Sequence, residues 1–491
     1  MGKKSGAKAQ GRPIVERSSG LKKLSPQKRN EVNNLVEKLL KASSVVQQPG
    51  VSREWDTHLD IQKILEKLTR VEAEMKGAAE DRTGHMPGFL AWMLEHGAQF
   101  EGLSVASFPG YDCGLRAEVD LAEGQLVLAV PRAVMLTAGG PGDSPLGPLL
   151  VQDPMLQHMP SVALSLRLLV EKFRPDSFWR PYLRVLPATY TTVLAFSTAE
   201  LQELKGSPTL ESALKQCRNI ARQYAYFNKL FQNSNDPASE LLREVFTYEE
   251  YCWAVSTVMT RQNFVPGADG SGMEYALIPL WDMCNHDNGQ LSTTFSAELD
   301  RTECTAFRRF EAGEQLFIFY GARSNCDFLV HNGFVQPDNQ HDSLRLKLGV
   351  SRADPLQAAR SELLARVGLP AAGDFCLRAG PEPVDGRLLA FLRVFSMRRE
   401  HLDHWLECAR SCDLVYPDCA VDTEVEARAW GFLLARINLL LSAYPTSLQE
   451  DTVLLGTPGL APCKRLAVQM RAAEKTILHS AVEYAQQRLK A

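Results

Sequence analysis

The stretch LIPLWDMCNHDNG, Leu277 to Gly289, crowds Asp282, Cys284, Asn285 and His286 into five positions. Three chemistries compete for it. A zinc site needs three or four converging ligands. Asp282, Cys284 and His286 alternate, so on a strand they would share one face. No second ligand pair at zinc spacing lies near them, so no metal is expected. A Cys284–His286 nucleophile pair fails on distance: two residues apart on a strand is about 7 Å, beyond proton-transfer reach. On spacing alone, a buried strand end whose polar groups satisfy local backbone explains the stretch best.

Composition narrows the setting. The 491 residues suffice for two or three domains, and 45% apolar with 23% charged residues is ordinary for a globular protein. No apolar run approaches the roughly 18–20 residues of a membrane span, so no membrane partner is expected. The start, MGKKSGAKAQGRP, lacks the apolar centre of a secretory signal. Gly6 stands where a myristoylation pattern wants Ser or Thr. Eleven scattered cysteines fit reduced thiols in the cytosol, with the nucleus as a second location. Cys408, Cys412 and Cys419 do not have zinc-knuckle spacing. A net charge of −4 argues against nucleic acid as the main partner. Basic residues gather before Asn30, so residues 1–24 are expected to form a solvated, disordered tail. A localisation signal or weak nucleic-acid contact is its alternative use.

Order is expected from Ser25, an N-cap before Pro26, with Val32, Leu35, Val36, Leu39 and Leu40 at helical spacing. Leu59, Ile64, Leu65, Leu68 and Val71 mark a second helix. PGFLAWMLEHGA marks a third, stopped by Gly97. From residue 100 to 335 the texture is β-rich: LSVASF, GLRAEV and QLVLAVPR, then LSTTFS, ECTAFRRF and EQLFIFYG. A helical insert at about 138–262 separates the two halves. Its last helix carries a Thr247–Glu250 capping box and a Phe246–Tyr251 staple, and is expected to end near Pro266 and Gly267. That would place Arg261 and Asn263 at its last turn. Beyond Asp354, the expected N-cap of the next helix, the chain reads as helices to its end. The expected fold class is α+β: a β core with a helical insert, then an all-helical domain over 345–491.

A second motif changes the weighing. DMCNH is followed by GEQLFIFYG, and upstream lies GLRAEVDLAEGQLVLAVPR. Together they resemble the signature of SET-domain protein methyltransferases of the Rubisco-methyltransferase-like class. That class has a knot-like core, a helical insert and a helical substrate-binding domain, and it lacks zinc-binding segments. The stretches IARQYAYFNK, YCWAVSTVMTRQN, ALIPLWDMCNHDNG and IFYGARSN narrow the resemblance to a branch that methylates a histidine of actin, giving tele-methylhistidine.

The resemblance implies S-adenosylmethionine as cofactor and actin as protein substrate. It assigns cofactor contacts to Asp282, Met283, Cys284, Asn285 and His286. Arg261 would pair with the cofactor carboxylate, with Arg82 upstream. Asn332, Gly333 and Phe334 would cover the adenine. Tyr111, Asp112 and Cys113 would complete the cleft. Asp112 is a departure: relatives usually carry glycine there; if the position needs φ > 0, Asp tolerates it better than most residues, and its carboxylate would oppose the cofactor's. Catalysis falls to Tyr320 and Asn263. The acceptor pocket falls to Asn263, Trp281, Ile318, Tyr320 and Arg323.

Acceptor chemistry separates the readings. A lysine acceptor must be deprotonated at a cost of about 4–5 kcal/mol at pH 7, whereas imidazole is already mostly neutral. Histidine needs its tautomer fixed, and an amide at Asn263 beside a flat Trp281 wall suits that. These side chains do not exclude a lysine methyltransferase acting on a histone or other protein. A binding module whose cofactor site has decayed at Asp112 is the third reading.

Overall fold

The computed structural model describes residues 23–45, 50–75, 82–139, 144–270 and 272–490. Residues 1–22 of the expected basic tail lie outside the described residues. Ser25 caps the helix Pro26–Ser44, its Oγ accepting from the Lys28 amide at 3.3 Å. Val32, Leu35, Val36 and Leu39 are buried as their spacing requires. The helix Val51–Glu72 buries Ile61, Leu65 and Leu68, while Leu59, Ile64 and Val71 are only half-buried. The third helix starts at Arg82 rather than Pro87, taking the proline inside, and Gly97 at φ +85° lets the chain turn away.

Six strands form the main sheet: β1 (Leu103–Phe108), β2 (Tyr111–Ala117), β3 (Leu126–Pro131), and, after β4 (Leu136–Thr137), β5 (Gln262–Pro266) and β6 (Met273–Leu277), also β7 (Asn285–Ser296), β8 (Arg301–Ala306) and β9 (Gln315–Ile318). Their order is β1-β2-β9-β7-β8-β3, while β4-β6-β5 make a separate small sheet. The last strand of the main sheet, β9, thus lies between β2 and β7. It runs antiparallel to β2, through Leu115↔Leu316, and parallel to β7, through Asn285↔Phe317 and His286↔Ile318. The helical insert occupies the span between β4 and β5.

Two local expectations are corrected. The helix Tyr248–Arg261 ends at Arg261, not near Pro266, because Gln262–Pro266 pairs with β6 from Gln262↔Leu277 to Pro266↔Met273. Asn263 therefore sits on a strand. Only half of the capping box forms: Thr247 Oγ1 accepts from the Glu250 amide at 3.2 Å, but the Glu250 carboxylate takes Lys172 at 2.6 Å. The Phe246–Tyr251 staple holds, with ring centroids 5.5 Å apart.

The C-terminal part also differs in detail. Beside its helices it carries a two-stranded sheet, β10 (Ser343–Gly349) with β11 (Ala372–Arg378), paired over seven registers. Asp354 caps a turn rather than the helix, which begins at Gln357. The Asp354 carboxylate accepts from the Leu356 amide at 2.8 Å and from Arg360 Nε at 2.9 Å. A separate apolar core fills this part, built on Leu344, Leu346, Phe391, Leu433 and Leu478. The N-terminal helices instead share one core with the sheets. Arg471, 2% exposed, ties the two parts: its guanidinium reaches Glu203 of the insert at 2.6 Å and Asp451 at 2.8 Å.

Candidate active site

Strand β6 leaves the small sheet and must turn sharply into β7. Leu280 makes that turn at φ +68°, ψ −47°, a strained conformation for a leucine. The following residues Trp281–Met283 form a single 3₁₀ turn, and only at Asn285 does β7 begin. Asp282, Cys284 and His286 therefore do not share a strand face, which removes the geometry a metal reading required.

The turn closes one side of a cavity of about 490 Å³. The Tyr320 hydroxyl donates to the Cys284 carbonyl at 2.7 Å, and the Tyr320 amide donates to His286 Nδ1 at 3.1 Å. These two bonds join the Asn-His segment to the end of β9. Arg261, Asp282, Cys284 and Asn332 line the same space as Asn263, Trp281, Ile318, Tyr320 and Arg323. So the expected acceptor residues and four of the expected cofactor residues meet there. Trp281, 9% exposed, is pinned by its Nε1 donating to Thr293 Oγ1 at 3.1 Å. Arg323 Nη1 donates to Asn332 Oδ1 at 3.1 Å.

Arg261 already has internal partners. Its Nη1 donates to the Asp282 carbonyl at 2.7 Å and lies 3.5 Å from the Asp282 carboxylate. Tyr182 donates to the same carboxylate at 2.5 Å. Burial works against the Arg261 cation, yet the field of Asp282 outweighs it and raises its pKa further. Burial raises the pKa of Asp282, and Arg261 is the main force opposing this, with Arg82 also acting on it. Burial likewise lifts the Tyr320 phenol well above its ordinary value, so it remains a neutral donor.

The remaining expected cofactor residues flank this cavity. Asn285 Nδ2 donates to the Cys113 carbonyl at 2.9 Å, across β2 and β7. Gly114 permits that approach, since an added Cβ would stand 2.9 Å from Asn285 Nδ2 and 2.5 Å from Gln315 Nε2. Tyr111 packs edge-on to Phe317, ring centroids 5.6 Å apart. Asp112 lies in β2 without positive φ, and Arg82 Nη1 neutralises it at 2.5 Å. The backbone there needs no residue tolerant of positive φ, and the Asp112 carboxylate already has a cation beside it. Met283 is buried in the turn. His286 packs against Phe328 at 4.8 Å, and Phe334 stacks on Phe328 at 4.7 Å. Gly333, at φ +76°, leaves room for Thr191, whose hydroxyl donates to its carbonyl at 2.7 Å.

The buried polar atoms around the site without a partner among the described residues include Arg82 Nε, Arg261 Nε and Asp282 Oδ1, besides Gln262 Oε1 and Gln315 Nε2. The first three, two donors and one acceptor, suit a ligand end that carries both a carboxylate and an ammonium. That is the character of the methionine part of S-adenosylmethionine. Sequence reasoning missed Tyr182 and Tyr190 of the insert, which hold Asp282 and Arg261. It also missed the aromatic rim of Phe264, Tyr275, Phe307 and Phe319. Phe264 and Tyr275 sit on paired strands with ring centroids 4.2 Å apart. Phe319 beside Tyr320 and Phe307 within ECTAFRRF were the signals the sequence offered.

This arrangement, with an Asn-His segment and a tyrosine-ended strand across one cavity, has the fold of solved Rubisco LSMT structures. One bound to AdoMet matches with a TM-score of 0.67 at 22% identity, covering 83% of this chain and 92% of that one. Another, bound to sinefungin and monomethyllysine, matches at 0.66 and 21%, covering 82% and 92%. A family model for Rubisco LSMT substrate-binding matches residues 351–478. The chain therefore has the SET-domain fold of the Rubisco LSMT structures.

Actin-histidine N-methyltransferases from Mus musculus and Homo sapiens are each 40% identical over 491 residues, covering 99% of this chain and 81% of theirs. The Danio rerio protein is 40% identical over 488 residues, covering 98% and 80%. The chain belongs to the actin-histidine N-methyltransferase family.

Proposed function

We propose that this chain transfers a methyl group from S-adenosylmethionine to a ring nitrogen of a histidine in actin, giving tele-methylhistidine. The observation that carries the reading is the single cavity in which Asn263 and Trp281 face the same space as Tyr320 and Arg261. The relatives named above support the substrate. Eleven free cysteines support the cytosol as the setting, with the nucleus as a second one.

S-adenosylmethionine supplies the methyl group on a sulfonium, which is electrophilic enough without a metal. Arg82, Arg261, Asp282 and Asn285 would hold its methionine end; His286, Asn332, Gly333 and Phe334 would hold its adenine side. The protein's remaining task is orientation and exclusion of water. Trp281 offers a flat wall for the imidazole. The Asn263 amide oxygen accepts the N–H of the non-reacting ring nitrogen, which leaves the other nitrogen with its lone pair free. The Tyr320 hydroxyl is fixed on the Cys284 carbonyl, so its oxygen lone pairs remain available at the transfer end of the cavity. Ile318 and Arg323 close the space around them.

Purified chain incubated with actin and methyl-labelled S-adenosylmethionine should place label on one histidine, located by mass spectrometry. Label on lysine only, or none, would overturn the reading. Asn263→Ala should slow the reaction about tenfold or more through loss of the ring's partner; an unchanged rate would remove Asn263 from that role.

A further inference from the structure

The C-terminal part contains a second cavity, of about 410 Å³, that shares no lining residue with the candidate active site. Its charged lining is entirely arginine: Arg360, Arg398, Arg399 and Arg428, with Phe395 and Phe432 among the apolar residues. Among the described residues no carboxylate lines it. The two rings pack at 4.6 Å, and the Arg360 guanidinium lies 5.7 Å over Phe395.

Three of the arginines are already matched. Arg360 pairs with Asp354 at 2.9 Å and Arg399 with Asp403 at 3.0 Å, while Arg398 pairs with Glu424. Arg428 differs. Its Nε and Nη2 are buried and have no hydrogen-bond partner among the described residues. Asp422 acts on Arg428 only through its field and is itself bonded to His401 at 2.7 Å. Nε–H and Nη2–H point along one edge of the guanidinium. That edge takes a carboxylate through two parallel hydrogen bonds. A buried, unmade bidentate pair is costly, and the natural remedy is an oxyanion from outside.

We infer that this cavity receives an acidic side chain, flanked by an apolar one, from the protein substrate. The carboxylate bridges the Nε–Nη2 edge of Arg428, and the apolar neighbour packs on Phe395 and Phe432. The exposed Arg398 and Arg399 side chains move aside to admit it. The cavity lies within residues 351–478, the part similar to a substrate-binding domain. The inference rests on the proposed action on a folded protein, but its test separates the two.

The test uses the full chain and the variants Arg428→Gln and Arg428→Lys. Direct titration with N-acetyl-Glu-Leu-Phe amide should show binding to the parent, at least tenfold weaker binding to both variants, and none for the Gln analogue of the peptide. Inorganic phosphate at equal concentration should not displace the peptide. Equal binding to parent and variants, no binding to the parent, or displacement by phosphate would overturn the inference. With actin as substrate, Arg428→Gln should raise KM several-fold while turnover of a short acceptor-histidine peptide stays unchanged. Loss of both would mark a merely structural residue. If the parent does not methylate actin, the functional reading fails while the titration still decides the cavity.

Discussion

Replacing Asp282 with Asn should destabilise the protein by about 3 kcal/mol. The carboxylate has no exposed side-chain surface, accepts from Tyr182 and faces the Arg261 guanidinium at 3.5 Å. Arg261 cannot shed its proton; burial raises the pKa of Asp282, and the Arg261 cation is the main force that opposes this and favours the carboxylate. Removing one partner of a buried pair costs about 3–5 kcal/mol, since the other charge is left without its counter-ion. Arg261 keeps the Asp282 carbonyl at 2.7 Å and its bond to Tyr190, which sets the lower end of that range. Urea unfolding of the parent, Asp282→Asn, Arg261→Met and the double variant forms a closed cycle. The double variant should recover more than about 1.5 kcal/mol of the summed single losses. A loss below about 1 kcal/mol for Asp282→Asn, or strict additivity, would refute the buried-pair account.

Gly114→Ala should weaken S-adenosylhomocysteine binding about tenfold by calorimetry, because the new methyl displaces the Asn285 amide from the Cys113 carbonyl; unchanged affinity would show that this approach is not needed. Tyr320→Phe should lower turnover about 100-fold while leaving cofactor affinity within about twofold, since only the hydroxyl bond to Cys284 is lost; an equal loss in both would contradict the assignment. Burial lifts the Glu72 carboxyl from 4.5 to about 7, against hydrogen bonds from Tyr224 and the Tyr248 amide. Because the folded value is the higher one, this group's stabilisation, about 3 kcal/mol, is fully present below pH 4.5 and is lost as pH rises through 7. Glu72→Gln should remove that slope between pH 5 and 8, and parallel urea midpoints for parent and variant would refute it.

The β-rich frame, the insert and the early helices were legible because their apolar spacing is local. Ser25 with Pro26, and Gly97, mark boundaries with their own side-chain or backbone chemistry. What could not be read was set by distant partners. Gln262–Pro266 continues the preceding helical composition, yet pairing with β6 makes it a strand. Glu250 leaves its local cap because Lys172, on another helix, offers a charge. Asp112 reads as a defect until Arg82 is placed beside it. Likewise, Tyr182 and Tyr190 have no motif around them, and only the packed insert brings them to Asp282 and Arg261.

The placement of β9 between β2 and β7 has a consequence for biosynthesis. Asn285 meets Cys113, 172 positions away along the chain, and β2 and β7 are joined in the sheet only through β9. Closing so large a loop precedes any reward from the contacts it makes, so assembly of this centre is slow. On a ribosome, helices and the outer hairpin can settle early, but the catalytic slot stays open until its final strand has cleared the exit tunnel. A nascent chain arrested before residue 320 would therefore display unpaired strand edges, the surface that chaperones recognise.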